Sequence, residues 1–120
     1  MDLRSRVAIT VAPGERAMIP TGVAVAIPDG HAGLVLPRSG LASKQGLTLA
    51  NAPGLIDAGY RGELICAVVN LDQSTPVQIA VGDRIAQLVV IRVPLLTSVW
   101  VDQLPESVRG EGGFGSTGAS

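Results

Sequence analysis

Hydrophobic positions fall in short runs rich in Val and Ile, broken at close intervals by turn residues. RVAITV, RAMIP, GVAVAIP, HAGLVLP, ELICAVVNL, VQIAV, RIAQLVVIRV and SVWV are separated by stretches such as APGE, PDG, APG, DQSTP and VGD. That spacing predicts an all-β sandwich or barrel. No segment between positions 1 and 104 keeps a 3.6-residue period for three turns, so helix content should be small, with SGLASKQG holding a single turn. Several runs are apolar at both alternating sets of positions: in ELICAVVNL, Leu64, Cys66 and Val68 on one side and Ile65, Ala67 and Val69 on the other. A strand with one wet face alternates, so two apolar faces predict a sheet covered from outside, most simply by a neighbouring subunit. The last sixteen residues exchange Val and Ile for Gly, Ser, Thr and Glu, the composition of a mobile arm.

Composition adds to this picture. A chain of 120 residues suits one domain. A mean hydropathy of +0.40 is high for so short a soluble chain and again suggests burial against other copies. The net charge of −1 argues against nucleic-acid or membrane-surface binding driven by bulk electrostatics, although eight of nine basic residues are arginine, the side chain shaped for phosphate and carboxylate. The lone Cys66 excludes an internal disulfide, reads as a buried strand position and fits a reducing cytoplasm. Neither a secretory leader nor an apolar run near the ~18 residues of a membrane span is visible.

The usual catalytic constellations are missing. His31 opens a strand after a PDG turn and reads as a solvent-facing structural residue. With no second histidine and no spaced cysteines there is no zinc site. Phosphate-binding glycine fingerprints are absent too.

Four polar stretches remain. In LPRSGLASKQG, residues 36–46, Arg38, Ser39 and Gly40 bring a guanidinium, a hydroxyl and backbone amides together at a possible helix start, which suits phosphate oxygens; a turn with Ser39 as N-cap is the alternative. In NAPGLIDAGYRGE, residues 51–63, Asp57 lies among apolar neighbours, with Tyr60 three residues on. It is either a general base or a loop carboxylate bonded to backbone amides. In GDRIAQL, residues 82–88, Gly82 and Asp83 make a turn, and Gln87 is an amide within an apolar strand. The tail RGEGGFGSTG holds Arg109, Ser116, Thr117 and the only phenylalanine, Phe114. A disordered tail is the plain reading; a lid whose ring stacks on a base and whose hydroxyls hold phosphate is the other.

The series DLRS, PRSGLA, NAPGLIDAGYRGE, GDRIAQL and RGEGGFGSTG, in this order, resembles the five motifs of homotrimeric deoxyuridine triphosphatases (dUTPases), from Asp2 to Gly118. The resemblance implies a β-barrel or jelly-roll trimer whose three active sites are each assembled from three subunits, hydrolysing dUTP to dUMP and pyrophosphate with Mg2+. It casts Asp57 as the base that activates water for attack on the α-phosphorus. Tyr60 becomes the ring that leaves no room for a 2′-hydroxyl, and Asn51 with the hairpin backbone around Gly54 to Gly59, Ile56 included, becomes the uracil reader. Arg38, Ser39, Gly40 and Gln87 would touch phosphate, and Asp2 would hold waters on Mg2+ whose other ligands are triphosphate oxygens. Arg109, Ser116 and Thr117 would serve the γ-phosphate from the arm, Gly115 would be a further substrate contact, and Phe114 would stack over uracil. On this reading residues 1–104 form the dUTPase-like β domain, and residues 105–120 form the arm that closes over the site.

Members of that family carry a further strand, then Ala-Gly and a small apolar residue, before the motif's aspartate. The chain is expected to lack them, or to start at an internal codon; a true loss would leave a sheet edge open and Asp2 on a fraying terminus. Two other functions compete. A dCTP deaminase has a similar fold but needs a glutamate three residues before an asparagine, where this chain has Ala67 before Asn70. A nucleotide-binding regulatory or partner-binding module with weak or lost hydrolysis would keep the pocket and use the arm to grip a protein.

Overall fold

The computed structural model describes residues 1–113 and 115. Among these residues nine short strands and one helix follow the punctuation of the sequence: β1 (Asp2–Arg4), β2 (Ile9–Val11), β3 (Arg16–Pro20), β4 (His31–Pro37), α1 (Ser39–Gln45), β5 (Leu47–Leu49), β6 (Gly54–Ile56), β7 (Ile65–Asn70), β8 (Val77–Ile79) and β9 (Arg84–Arg92). They form three antiparallel sheets, ordered β1-β9-β4-β6, β2-β8 and β3-β7-β5. One side chain in two along each strand points inward: Leu3 from β1, Val11 from β2, Ile19 from β3, Leu47 from β5 and Val68 from β7 meet in one core, each almost wholly removed from water. Full burial of such a side chain stabilises the fold by about 1.5–3 kcal/mol.

Three corrections to the sequence reading arise here. The helix runs seven residues rather than one turn, and it ends at Gly46, whose φ of 72° and amide bond back to the Ala42 carbonyl close it in the left-handed conformation. A side chain at Gly46 would also meet the Asp72 backbone nitrogen at 2.9 Å. The run GVAVAIP is in no ladder, although Val23, Val25 and Ile27 face inward and Ala24 and Ala26 outward as a strand would place them. Thr21 takes over the bonding there, its hydroxyl donating to the Leu64 carbonyl at 2.6 Å and accepting from the Val23 amide at 3.2 Å. SVWV likewise pairs with no strand. The chain leaves the sheet after Arg92, Pro94 has no amide to extend the ladder, and Trp100 is fully exposed. The radius of gyration, 18.8 Å, exceeds the roughly 14 Å of a compact chain this long because this segment stands off the body.

The expectation of strands apolar on both faces holds. Ile65 on β7 and Val89, Val90 and Ile91 on β9 keep their apolar surface in solvent while Cys66, Val68 and Leu88 fill the core. Cys66 is buried and unpaired, and burial pushes its thiol up to about 11, so it is an inert core residue.

A polar side chain closes the core at one end. The Asn70 amide nitrogen donates to the carbonyls of Val11 (3.0 Å) and Thr75 (2.9 Å), and its oxygen accepts from the Asp72 amide (2.9 Å). It ties β2 to β7 and to the loop beyond. Asp72 in turn accepts from the amides of Thr75 and Ser74, which hold its carboxyl below the usual range. Replacing Asn70 with leucine strands these buried groups and should cost about 3 kcal/mol. Urea unfolding at one fixed protein concentration measures that loss; an unchanged midpoint would show that the three bonds contribute nothing.

Candidate active site

The residues singled out in the sequence fall into two groups on one chain. In the first, the central strand β9 brings three motifs together. Gln87 lies opposite Asp2 of β1 on one side and Leu36 of β4 on the other, so three strands contribute to a single row. The Gln87 amide nitrogen donates to the Pro37 carbonyl at 3.2 Å, which fixes it beside the residue that opens the helix. Arg38 occupies the N-cap position, without a side-chain cap bond, and Ser39 is the first helical residue. The alternative in which Ser39 caps the turn is therefore corrected: its hydroxyl is exposed beside Gly40 and is not spent on the helix. Leu41 packs against the core and anchors this turn.

Asp2 is not on a loose end. Met1 exchanges backbone bonds with Leu88 in both directions, at 2.8 and 3.1 Å, and β1 is the edge strand of its sheet within the chain. The Asp2 carboxylate lies 3.7 Å from the Arg84 guanidinium, both about half exposed, so the pair adds little stability. Arg84 was not singled out in the sequence reading, although it stands three residues before Gln87 in the same motif. With Arg38 it lines a cleft of about 210 Å³ that also takes in Gln45 and Asp83.

The second group is built on β6. Gly54 pairs with Val35 and Leu55 with Leu34, which docks the hairpin against β4. A side chain at Gly54 would meet the Asn51 amide nitrogen and Val35 Cβ, each at 3.4 Å, so its absence lets the hairpin close tightly. Beyond β6 the chain turns back on itself. Asp57 is exposed, as a loop carboxylate bonded to backbone: Oδ1 accepts from the Gly59 amide at 2.9 Å, and the Asp57 carbonyl accepts from the Tyr60 amide at 3.3 Å. Arg61 donates to the carbonyls of Ala58 and Tyr60, and the Tyr60 hydroxyl donates to the Glu63 carbonyl at 2.9 Å. Ile56, Asp57 and Tyr60, with Leu55 and Ile65 as apolar walls, line a cleft of about 260 Å³.

These two clefts share no lining residue. One offers guanidinium and amide donors; the other offers a carboxylate, an aromatic ring and apolar walls. Arg109 lies apart from both on the exposed arm, its Nε donating to the Gly112 carbonyl, and Gly115 adopts a φ of 74°. Phe114, Ser116 and Thr117 lie outside the described residues. His31 opens β4 half-buried, its Nδ1 within 3.0 Å of the Asp29 carbonyl, a structural contact. Among the described residues no three His, Cys, Asp or Glu side chains gather as a metal cage, and no helix is long and apolar enough to cross a membrane.

Known proteins match this arrangement over nearly the whole chain. The dUTPase family profile covers residues 1–118. The chain is 58% identical over 117 residues to the deoxyuridine 5′-triphosphate nucleotidohydrolase of Leifsonia xyli subsp. xyli, covering 98% of this chain and 77% of that protein. It is 56% identical over 117 residues to the protein of the same description from Thermobifida fusca, covering 98% of this chain and 65% of that one. Among solved structures, the dUTPase of Staphylococcus bacteriophage 80alpha with dUPNHPP superimposes with a TM-score of 0.88 at 33% identity, over 98% of this chain and 84% of that one. A mutant dUTPase from phage phi11 of S. aureus, described for its coordination of a structural Mg(II) ion, gives 0.78 at 31% identity, over 85% of this chain and 82% of that one. With five motifs in order, a β fold that superimposes on these enzymes and a profile match over residues 1–118, the chain belongs to the dUTPase family.

Proposed function

We propose that this chain hydrolyses dUTP to dUMP and pyrophosphate, with Asp57 as the general base for attack of water on the α-phosphorus. The observation that carries the reading is the placement of Asp57 at the lip of the Tyr60 cleft: one carboxylate oxygen is held by the Gly59 amide, and the other is left for a water. A base fixed in this way can take a proton without first being reoriented. The solved 80alpha dUTPase with the analogue dUPNHPP supports a deoxyuridine triphosphate as ligand.

Asn51, Gly54 and Ile56 read uracil from the hairpin, and the Tyr60 ring excludes a 2′-hydroxyl by occupying its space. Arg38, Ser39, Gly40 and Gln87 hold the phosphates and stabilise the charge that develops there. Residues 1–104 form the β domain, and residues 105–120 close over the bound nucleotide. Arg109, Ser116 and Thr117 supply γ-phosphate contacts and Gly115 a further substrate contact, with Phe114 over the base. A complete site takes the base-reading cleft from one copy and the phosphate cleft from another, as in the homotrimeric dUTPases that the motif series resembles. A homotrimer with three shared sites satisfies this, and the exposed apolar residues of β7 and β9 supply its contacts. The unpaired Cys66 thiol agrees with a cytoplasmic setting.

The residues present fit Mg2+. This ion keeps several waters and takes one or two carboxylates together with substrate phosphates, so a single exposed Asp2 beside Gln87 suffices without the cage that is missing among the described residues. When bound there it would neutralise charge on the triphosphate. A binding module without hydrolysis is not favoured, since it has no need of a positioned Asp57. Deamination lacks its acid, because Ala67 offers only a methyl group.

The test is pyrophosphate release from dUTP, with UTP, dTTP and dCTP alongside, in the presence and absence of Mg2+. Release from dUTP alone, dependent on Mg2+, is the expected result. Binding of dUTP without release would overturn the hydrolytic reading in favour of a binding module, and ammonia from dCTP would overturn it in favour of deamination.

A further inference from the structure

The Tyr60 ring lies directly over Gly62. A Cβ built on Gly62 would stand 2.5 Å from the Tyr60 hydroxyl oxygen, 2.7 Å from Cζ and 3.1 Å from Cε1. At Gly59, in the same turn, a Cβ would meet Asp57 Oδ1 at 3.5 Å and not the ring. Gly62 is not among the glycines with positive φ, so its backbone is one that alanine adopts without strain. The missing side chain therefore answers to the ring and not to the turn. At Gly46 the opposite holds, since φ is 72° and the atom met is the Asp72 backbone. There a substitution strains the fold, whereas at Gly62 the side chain of an exposed tyrosine gives way.

From this we infer that Gly62 is a positioning residue for sugar selection: its bare Cα is the seat that lets the Tyr60 ring lie flat along the turn, with the hydroxyl pinned to the Glu63 carbonyl at 2.9 Å. The inference rests on the reading of Tyr60 as the ring that rejects a 2′-hydroxyl, and it names what holds that ring in place. The rest of the turn is fixed independently, by Asp57 to Gly59 and by Arg61 to Ala58 and Tyr60. A methyl group on Gly62 displaces the ring from its seat and breaks the bond to Glu63, while the loop backbone and the Asp57 carboxylate stay where they are. Rejection of a 2′-hydroxyl is steric, so a ring released from one position rejects less well.

Gly62→Ala in the full-length chain tests this with two readouts. The first is the ratio of kcat/KM for dUTP to that for UTP, which should fall by about tenfold with kcat on dUTP changing much less. The second needs no turnover. The chain has one tyrosine, so ring-labelled tyrosine reports Tyr60 alone by NMR, and its ring signals should shift in the variant while the melting temperature stays near that of the parent. An unmoved ring signal, an unchanged selectivity ratio, or a large loss of stability with selectivity intact would overturn the inference. A parent protein that turns over UTP as readily as dUTP would instead remove the role given to Tyr60, and one without turnover would remove the hydrolytic reading. In both of those cases the ring signal still decides whether Gly62 seats the tyrosine.

Discussion

Asp57→Asn lowers kcat on dUTP by about a thousandfold while leaving dUTP binding largely intact. The substitution keeps shape and one acceptor: the asparagine carbonyl oxygen still receives the Gly59 amide, so the turn from Asp57 to Tyr60 survives with the cleft that it lines. What disappears is the second carboxylate oxygen and the capacity to take a proton from water. The uracil contacts proposed for Asn51 and Gly54 precede Asp57 on the same hairpin and those proposed for phosphate come from Arg38 and Gln87, so the substitution removes none of them. Single-turnover pyrophosphate release, with calorimetry of dUTP binding, separates the two effects. Turnover equal to that of the parent would end the assignment of Asp57 as base, and loss of binding together with turnover would make it a substrate contact instead.

Removal of residues 109–120 produces the second large effect, a fall in kcat/KM of about a hundredfold or more with assembly unchanged. The deletion takes away Arg109, Phe114, Ser116 and Thr117 together: the cation and hydroxyls proposed for the γ-phosphate and the ring proposed for the base. It leaves the exposed apolar residues Val89, Val90 and Ile91 of β9, and Leu95, Leu96 and Trp100 beyond it, which are the surfaces available for burial between copies. Light scattering after size exclusion should give the mass of three chains for both the parent and the shortened protein. A parent with the mass of one chain would remove the shared-site reading, because no second copy would then be present to complete a site. Turnover unchanged by the deletion would remove the arm from the mechanism.

Much of the β fold was legible because local patterning and tertiary burial agree. RAMIP and HAGLVLP became β3 and β4 at the bounds that their turn residues suggest, and VQIAV and RIAQLVVIRV became β8 and β9. Three strands escaped notice, β1, β5 and β6, each only three residues long. At that length one or two inward positions do not separate a strand from a loop. GVAVAIP erred the other way: its alternation does place Val23, Val25 and Ile27 inward, but alternation reports burial and not bonding, and Thr21 satisfies the backbone that a ladder would have used. At the site, Asp57 stood out because a carboxylate is conspicuous in an apolar stretch. Arg84 did not, because an arginine after a turn looks like ordinary surface; only the pairing of β1 with β9 puts it beside Asp2.

By itself the sequence determined the residue types and their order: a β chain with one brief helix, five polar motifs in the dUTPase order, one carboxylate in an apolar loop and one phenylalanine in a glycine-rich tail. These are local properties, set by side-chain chemistry and by a period of two or of three and a half, and they survive without knowledge of what lies across the sheet. Only the tertiary structure decided which motifs meet. Antiparallel pairing sets Gln87 between Asp2 and Leu36, residues far from it in the chain, and the same pairing leaves Asp57 in a cleft that Arg38 does not line. It also decided that Tyr60 rests on Gly62, since an exclusion measured in tenths of an ångström depends on where a ring lies in space. Register and close approach arise from the packing of the whole chain, and no short window of sequence contains them.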